Sequence, residues 1–250
     1  MIRVALFIPC FVDQLAPTIG QAAVRVLERA GCTVEFPEAQ TCCGQPAFST
    51  GHWREARALA ERFVRVFAAA EAVVCPSGSC AATARRAFAL LDDGDAAWRR
   101  DAAALAPRVF EFSEFLVRRL RLTDVGAFFP HRVAYHDACH LLRELGVRDE
   151  PRQLLREVRG LELVEMEEPE ECCGFGGAFA VALPAISAAL GRRKAANVER
   201  AQAEFVTTGD PSCLLHIGGV LARQRARARA IHLAEILAAE RRPGAAPARP

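Results

Sequence analysis

The chain has 250 residues, of which 52% are hydrophobic and 25% are charged, proportions typical of a globular protein rather than a disordered one. Basic and acidic residues nearly balance, 32 against 30, and the formal net charge is +2. Bulk charge therefore indicates neither a nucleic-acid partner nor a membrane surface. No apolar run is long enough for a membrane span or a signal-peptide core. We expect a cytoplasmic protein whose ten cysteines are reduced and available to metals rather than paired in disulfides.

The first half of the chain alternates short apolar runs with amphipathic stretches of helical period. Gly31 is the expected end of the first helix, because glycine readily adopts the left-handed conformation that ends helices. The predicted strands cover residues 4–8, 33–36, 72–75 and 108–112, and the predicted helices cover residues 18–30, 52–70 and 114–122, with one more helix opening at the turn 76–80.

The second half repeats this order of elements. Residues 229–237 match residues 108–116 in hydrophobic pattern, so even the last strand and helix recur. The other predicted strands cover residues 132–136, 161–164 and 204–208, a long helix covers residues 184–203, and a further helix opens at residues 210–213.

Alternating strands and helices predict parallel sheets joined by right-handed crossovers. We therefore predict an α/β fold of two tandem pseudo-symmetric halves, each a roughly four-stranded parallel sheet flanked by helices. The expected domains are residues 1–125 and 126–240, followed by a disordered tail at residues 241–250. Residues 92–95 are expected to form a surface insertion.

Two Cys-Cys-Gly triplets lie 130 residues apart in matching surroundings, with a single cysteine 32 or 33 residues before each and another 37 or 40 residues after it. The single cysteines each follow a predicted strand, and parallel strands bring sites together at their carboxyl ends. The sequence therefore predicts two sets of four metal ligands. They are Cys10, Cys42, Cys43 and Cys80 in the first half, and Cys139, Cys172, Cys173 and Cys213 in the second half.

Four thiolates in one half can hold an iron–sulfur cluster or a structural zinc ion. Adjacent cysteine side chains tend to diverge, which suits two irons of one cluster better than one tetrahedral ion, and the paired Cys-x₂₋₄-Cys knuckles of zinc sites are absent from the sequence. We expect one cluster in each half, with zinc in one half as the alternative. The glycine after each pair is expected to take an unusual dihedral angle. Cys32 and Cys75 are expected to be small buried residues, with Cys75 near enough to Cys80 to be a spare ligand.

Histidines surround the second set of cysteines. His136 and His140 flank Cys139, and His216 follows Cys213 by three residues. Because four cysteines already suffice for a cluster, we expect these histidines to form hydrogen bonds to sulfur rather than to ligate iron. The sequence offers no convincing general base beside a nucleophile, so catalytic residues stay unassigned.

The residues around the cysteines resemble a known family. The arrangement of single cysteine, Cys-Cys-Gly and single cysteine resembles the cysteine-rich CCG domain found in heterodisulfide reductase and in the iron–sulfur subunit of glycolate oxidase. The immediate context is similar to the lactate-utilisation protein A family over almost the whole chain. The matching segments are Thr41-Cys42-Cys43-Gly44-Gln45-Pro46-Ala47, Pro76-Ser77-Gly78-Ser79-Cys80, His136-Asp137-Ala138-Cys139-His140, Glu171-Cys172-Cys173-Gly174-Phe175-Gly176-Gly177 and Thr208-Gly209-Asp210-Pro211-Ser212-Cys213.

The resemblance implies an iron–sulfur electron-transfer subunit that acts with two other lactate-utilisation subunits, one carrying ferredoxin-type clusters, in oxidising L-lactate to pyruvate. Substrate oxidation is then expected in a partner subunit or at a cluster itself. In the CCG domains of heterodisulfide reductase each motif has a fifth cysteine three residues before the last, and the clusters are non-cubane. Here Ser77 and Asp210 stand at those positions. This departure favours an ordinary four-cysteine cluster of the 4Fe-4S type.

Two alternatives stay open at this point. One is a heterodisulfide-reductase-like enzyme of thiol and disulfide chemistry, in which a cluster faces the substrate. The other is a zinc-stabilised assembly scaffold without a redox role.

Overall fold

The computed structural model describes residues 2–91 and 95–240, which contain eight strands in two sheets of four. Every strand pair is parallel. The strands are β1 (Arg3–Leu6), β2 (Thr33–Glu35), β3 (Ala72–Cys75), β4 (Val109–Glu111), β5 (Arg132–Tyr135), β6 (Glu162–Val164), β7 (Phe205–Thr208) and β8 (Arg229–His232). The first sheet has the order β2-β1-β3-β4 and the second the order β6-β5-β7-β8. The predicted α/β architecture of two similar halves is confirmed.

Helices join successive strands, as parallel sheets require. The α-helices of the described residues are α1 (Cys10–Leu15), α2 (Pro17–Arg29), α3 (Gln45–Ser49), α4 (Trp53–Phe67), α5 (Gly78–Arg85), α6 (Ala96–Leu105), α7 (Phe112–Glu114), α8 (Asp149–Arg156), α9 (Ala178–Ala182), α10 (Pro184–Arg200), α11 (Pro211–Arg223) and α12 (Leu233–Ala238). Helices cover both faces of each sheet, and all four residues of β3 and all four of β7 are buried.

The structure departs from the predicted elements in a few places. The helix predicted at residues 114–122 begins earlier, because Glu111 forms a capping box with Glu114 at the start of α7, and it continues as a π-helical turn, Phe115–Arg119. The short helices α1, α3 and α9 and the helices α6 and α8 were not predicted. Asp95 caps α6 by accepting hydrogen bonds from the backbone of residues 97 and 98. Residues 92–94 of the predicted insertion and the predicted tail at 241–250 lie outside the described residues.

The two halves share their hydrophobic cores. Helix α2 of the first half packs against α12 of the second, where Thr18 Oγ1 donates a hydrogen bond of 2.9 Å to Glu235 Oε1 and the Arg29 guanidinium donates to the carbonyl oxygen of Leu237. Each core cluster includes side chains from both halves. One contains Phe7, Phe63, Leu141 and Ile217, and the other contains Leu27, Phe112, Tyr135 and Leu237. The division into domains at residue 125 stays a prediction from the sequence duplication.

The shared cores lead to a prediction about fragments. Residues 1–125 and 126–240, produced separately, should each lack a cooperative unfolding transition, because each fragment exposes apolar side chains that the other covers. Produced together, the two fragments should associate and recover the transition of the whole chain. Thermal unfolding followed by circular dichroism measures this. Cooperative unfolding of either fragment alone would contradict the interdependence of the halves.

Candidate metal centres

All eight predicted cysteine ligands lie at or just beyond the carboxyl ends of strands. The single cysteines follow the central strands: Cys10 and Cys80 follow β1 and β3, and Cys139 and Cys213 follow β5 and β7. The cysteine pairs lie in the loops that lead from the edge strands β2 and β6 to α3 and α9. Because all strands of a parallel sheet end at the same edge, these loops and helix starts meet there.

The first cysteine group consists of Cys10, Cys42, Cys43 and Cys80. The Sγ atoms of Cys10 and Cys42 are 3.7 Å apart, and Cys43 makes side-chain contacts with both Cys42 and Cys80. Hydrogen bonds from Cys10 and Cys43 hold the pKa of Cys42 far below its usual range. The same contacts, together with burial, raise the pKa of Cys10 and of Cys43. Four thiols therefore converge, and a metal would displace the protons that they share.

The second cysteine group consists of Cys139, Cys172, Cys173 and Cys213. Cys173 contacts both Cys172 and Cys213 through its sulfur. The hydrogen bond between Cys172 and Cys173 raises the pKa of Cys172, and burial adds to this. Burial, followed by the nearby charge of Cys172, raises the pKa of Cys139. In the second group Cys173 thus contacts two other sulfurs directly, and Cys139 lies near enough to Cys172 to interact with it electrostatically.

The glycine after each cysteine pair has the backbone conformation that the sequence predicted. Gly44 has a φ of +83° and Gly174 a φ of +93°, values in the left-handed region that favours glycine. In this conformation the Gly44 N–H points at Cys42 Sγ, 3.4 Å away, and the Gly174 N–H points at Cys172 Sγ, 3.3 Å away. Backbone N–H groups therefore stabilise negative charge on sulfur in both groups.

The two cysteine groups are connected by a hydrogen-bonded side-chain pair. Gln45 follows the first triplet, and its Nε2 is 3.2 Å from Nε2 of His140. The other ring nitrogen of His140, Nδ1, is 3.5 Å from Cys139 Sγ. Because the Gln45 amide N–H donates to Nε2, Nδ1 carries the ring proton and donates to sulfur. The cysteine pattern alone did not predict a role for Gln45, and its place directly after Cys-Cys-Gly was the only signal.

The start of α5, in the first half, lies in close contact with the second half. The Gly78 N–H donates to the Gly209 carbonyl oxygen at 3.0 Å. A Cβ atom on Gly78 would lie 1.4 Å from Cδ1 of Leu141, so a side chain at this position has no room. This close approach brings the first and second cysteine groups to the same interface.

The two positions at which heterodisulfide reductase carries its fifth cysteines lie at helix N-termini here, and only the Asp210 side chain makes capping hydrogen bonds. Ser77 and Asp210 are the N-cap residues of α5 and α11. The Asp210 carboxylate accepts hydrogen bonds from the backbone N–H of Ser79 at 2.7 Å and of Ser212 at 3.1 Å. Each oxygen of this carboxylate thus accepts a hydrogen bond from a helix N-terminus, one from α5 and one from α11, so both act in helix capping rather than in metal binding.

The three histidines near the second group differ in their contacts. His140 lies beside sulfur, as predicted. His216 instead lies against the backbone, with Nε2 3.3 Å from the Ser187 carbonyl oxygen. His136 is buried, and burial lowers its pKa to about 3, so its ring is neutral. Cys32 and Cys75 are also buried, as predicted. Burial, followed by the nearby charge of Cys80, raises the pKa of Cys75, so Cys75 lies near the first group.

The donor atoms of both groups fit a metal centre. Thiolates are soft ligands that favour iron–sulfur clusters and zinc over calcium or magnesium. Each group supplies four sulfurs, the number that a 4Fe-4S cluster or a tetrahedral zinc ion takes. Each group contains both buried and more accessible cysteines. In the first group Cys43 is buried and Cys42 is half-buried, and in the second group Cys213 is buried and Cys172 is exposed.

The repeated pattern of Cys, Cys-Cys-Gly and Cys at strand ends defines a duplicated cysteine-rich protein. The family described as "Cysteine-rich domain" (CCG) matches the chain twice, over residues 4–85 and 133–218. Lactate utilization protein A of Geobacillus kaustophilus (strain HTA426) is 44% identical over 235 residues, which cover 94% of this chain and 98% of that protein. Its counterpart from Oceanobacillus iheyensis is 41% identical over 244 residues, covering 98% of this chain and 100% of that protein. The chain belongs to the lactate utilization protein A family, as the resemblance predicted.

Among solved structures, a putative Asp/Glu racemase from Yersinia pestis aligns with 95% of this chain and 96% of its own, at a TM-score of 0.40 and 13% identity. That similarity is too low to support a conclusion about fold or function. Within the described ranges 2–91 and 95–240, no helix combines the length and apolar character needed to cross a bilayer.

The glycine geometry predicts unequal effects of two alanine substitutions. At Gly174 an added Cβ would lie 2.4 Å from the Ser187 carbonyl oxygen, whereas at Gly44 its nearest neighbour is Leu59 Cβ at 3.3 Å. Both variants place alanine at a positive φ, a strain on the order of 1–3 kcal/mol. Only Gly174→Ala adds a clash with backbone, so it should lower metal content and melting temperature more than Gly44→Ala.

The control for this pair is Gly219→Ala, because the added Cβ meets nothing within 4 Å there and alanine is the better helix former. This variant should keep its metal content and its melting temperature. Equal losses from Gly44→Ala and Gly174→Ala would mean that the backbone clash does not govern the loop.

Proposed function

We propose that this chain is an iron–sulfur electron-transfer subunit of a lactate-utilisation system that oxidises L-lactate to pyruvate. Each half holds one 4Fe-4S cluster, ligated by the first or the second cysteine group. The proposal is supported by the thiols gathered at the strand ends of each half, where sulfurs contact one another and Cys139 lies near Cys172. The name of the relatives, "Lactate utilization protein A", supports the connection to lactate.

The chain's own residues would tune the clusters that they hold. A bound 4Fe-4S cluster accepts and releases single electrons. The N–H groups of Gly44 and Gly174 and the ring N–H of His140 donate to cysteine sulfur, and such hydrogen bonds favour the more negative, reduced state. The hydrogen-bonded pair Gln45 and His140 gives electrons a short path between the two groups.

The proposal includes partners and a location. Two other lactate-utilisation subunits complete the system, one of them with ferredoxin-type clusters, and substrate oxidation takes place in one of these or at a cluster of this chain. The exposed Cys172 marks the side on which a partner can approach the second group. The location is the cytoplasm, where thiols stay reduced and free to bind metal.

The two alternative functions are distinguished from the proposal by different properties, the first by the residues at positions 77 and 210 and the second by the identity of the metal. A thiol and disulfide enzyme of the heterodisulfide reductase type would need the fifth cysteine of each motif, and Ser77 and Asp210 occupy those positions at the N-termini of α5 and α11. A zinc-stabilised scaffold would use the same thiolates as a cluster. Metal identity therefore distinguishes the proposal from the scaffold.

Anaerobic purification followed by counting iron, acid-labile sulfide and zinc per chain tests the proposal. We expect iron and sulfide in equal amounts, near two clusters per chain, and an electron paramagnetic resonance signal that depends on reduction. Cys43→Ser and Cys173→Ser should each remove the metal of one half, because each replaces a buried sulfur at the centre of its group. The control is Cys32→Ala, which deletes a buried thiol outside both groups.

Zinc without sulfide would overturn the electron-transfer role in favour of the scaffold. Iron loss from only one of the two serine variants would mean that a single half carries a cluster. If lactate-dependent reduction of the reconstituted system survives both substitutions, the clusters are not on the electron path.

The hydrogen bond from His140 to Cys139 predicts a shift in reduction potential. His140→Phe removes this donor, and a hydrogen bond of about 1 kcal/mol corresponds to about 40 mV for one electron. The potential of the second centre should therefore fall by tens of millivolts in a redox titration. Gln45→Leu leaves the donor to sulfur in place and should have a smaller effect. A larger shift at the first centre than at the second would contradict this assignment.

A further inference from the structure

The two halves differ at one position beside their cysteine groups. The residue directly after β1 is Phe7, whose ring packs edge-on against Phe63 at a centroid distance of 4.9 Å. The residue directly after β5 is His136. Both side chains are buried, with 0% and 1% of their surface exposed. A hydrophobic residue in the first half is thus replaced by a potential metal ligand in the second.

The hydrogen bonds of His136 define its tautomer. Nδ1 lies 3.1 Å from the carbonyl oxygen of Pro169, which can only accept, so Nδ1 carries the proton. Lys194 also donates to this carbonyl oxygen, at 3.3 Å. With the ring proton on Nδ1, Nε2 presents a lone pair.

Nε2 of His136 is buried and has no hydrogen-bond partner among the residues that the structure describes. A buried acceptor without a partner is unfavourable, because it has lost its hydrogen bonds to water. One ring nitrogen of His136 and the Sγ atoms of Cys173 and Cys213 all lie within 4.8 Å of one another. Because Nδ1 is already bonded to the backbone, Nε2 is the nitrogen available to a metal held by these sulfurs. Metal-binding histidines usually donate their other N–H to a carboxylate, a backbone carbonyl or water, as His136 does.

We propose that His136 Nε2 is a metal ligand of the second centre, together with Cys173 and Cys213. The inference rests on the metal-binding role proposed above and makes the two centres chemically different: thiolates alone in the first half, imidazole and thiolates in the second. The second half then offers five donors, one more than a 4Fe-4S cluster or a zinc ion takes, so His136 replaces one of the four thiolates. Cys172 is the exposed member of the set.

The chemistry common to the possible occupants is a metal ion that accepts both imidazole nitrogen and thiolate sulfur. Iron of a cluster and zinc both meet this requirement. For iron, replacing a thiolate by neutral imidazole raises the reduction potential, because the cluster carries less negative charge. The second centre would then accept electrons more readily than the first.

The test uses the whole chain, purified anaerobically, and X-ray absorption at the iron and zinc edges. In the wild type we expect a nitrogen neighbour at about 2.0–2.1 Å beside sulfur neighbours at about 2.3 Å. A nitrogen shell at the iron edge identifies a cluster, and one at the zinc edge identifies a zinc site. For a paramagnetic cluster, pulsed electron paramagnetic resonance with ¹⁵N-labelled histidine should give a nitrogen coupling that changes with the label.

The matched variant is His136→Phe, which gives the second half the residue of Phe7. It should lose the nitrogen signal and the metal fraction that carries it, while the metal of the first centre stays. The control is His216→Phe, because His216 follows Cys213 closely but lies against the Ser187 carbonyl oxygen. It should keep the nitrogen signal.

Wild-type protein with metal and sulfur neighbours only would overturn the assignment of His136, and so would a nitrogen signal that persists in His136→Phe. These wild-type spectra decide the matter even if the variant fails to fold. A wild-type chain that binds neither iron nor zinc is a different result, because it overturns the proposed function itself.

Discussion

Mutual repulsion among the cysteine thiolates gathered at the carboxyl edge of each parallel sheet governs the chemistry of both halves. Close thiols cannot all ionise, so hydrogen bonds between them lower the pKa of Cys42 and raise that of Cys10 and Cys43. Without a metal this arrangement is electrostatically unfavourable, since each added thiolate repels the others. A metal reverses the balance, because it binds thiolates and releases their protons. Gly44 and Gly174, in the left-handed conformation, also stabilise thiolates, because their backbone N–H groups point at cysteine sulfur.

Sharing of the cores between the halves fixes the distance between the two cysteine groups. The close contact of Gly78 with Leu141 leaves no room for a side chain, and a tightly packed interface of this kind resists small displacements. It holds Gln45 of the first half against His140 of the second. In two separately folded domains joined by a linker, the distance between Gln45 and His140 would vary, and this hydrogen bond would not be maintained. The interlocked architecture therefore suits a protein that passes electrons between two centres.

Much of this arrangement could be predicted from the sequence because it is local and duplicated. Strand alternation predicted both sheets, and the repeated cysteine spacing predicted which cysteines lie together, since each cysteine follows a strand or lies in a loop whose position the fold dictates. Contacts between the halves could not be predicted in this way. Gln45 and His140 are 95 residues apart in the sequence, and the hydrophobic periodicity of a helix or strand gives no information about such a contact. Short helices such as α1 were missed because six residues carry too little amphipathic pattern to be recognised.

Duplication produced equivalent positions, and divergence at those positions makes the two centres unequal. The residues that end β4 and β8, Glu111 and His232, both cap the following helix, yet one is an acid and the other a base. Burial raises the pKa of Glu111 to about 8 and lowers that of His232 to about 4. At pH 7 burial therefore favours the uncharged form of both side chains. With His136 in place of a phenylalanine, the second half has a buried imidazole nitrogen near the sulfurs of Cys173 and Cys213, where the first half has an apolar ring. Two centres with identical surroundings would have equal potentials, so in the electron-transfer role proposed here this divergence biases transfer between them in one direction.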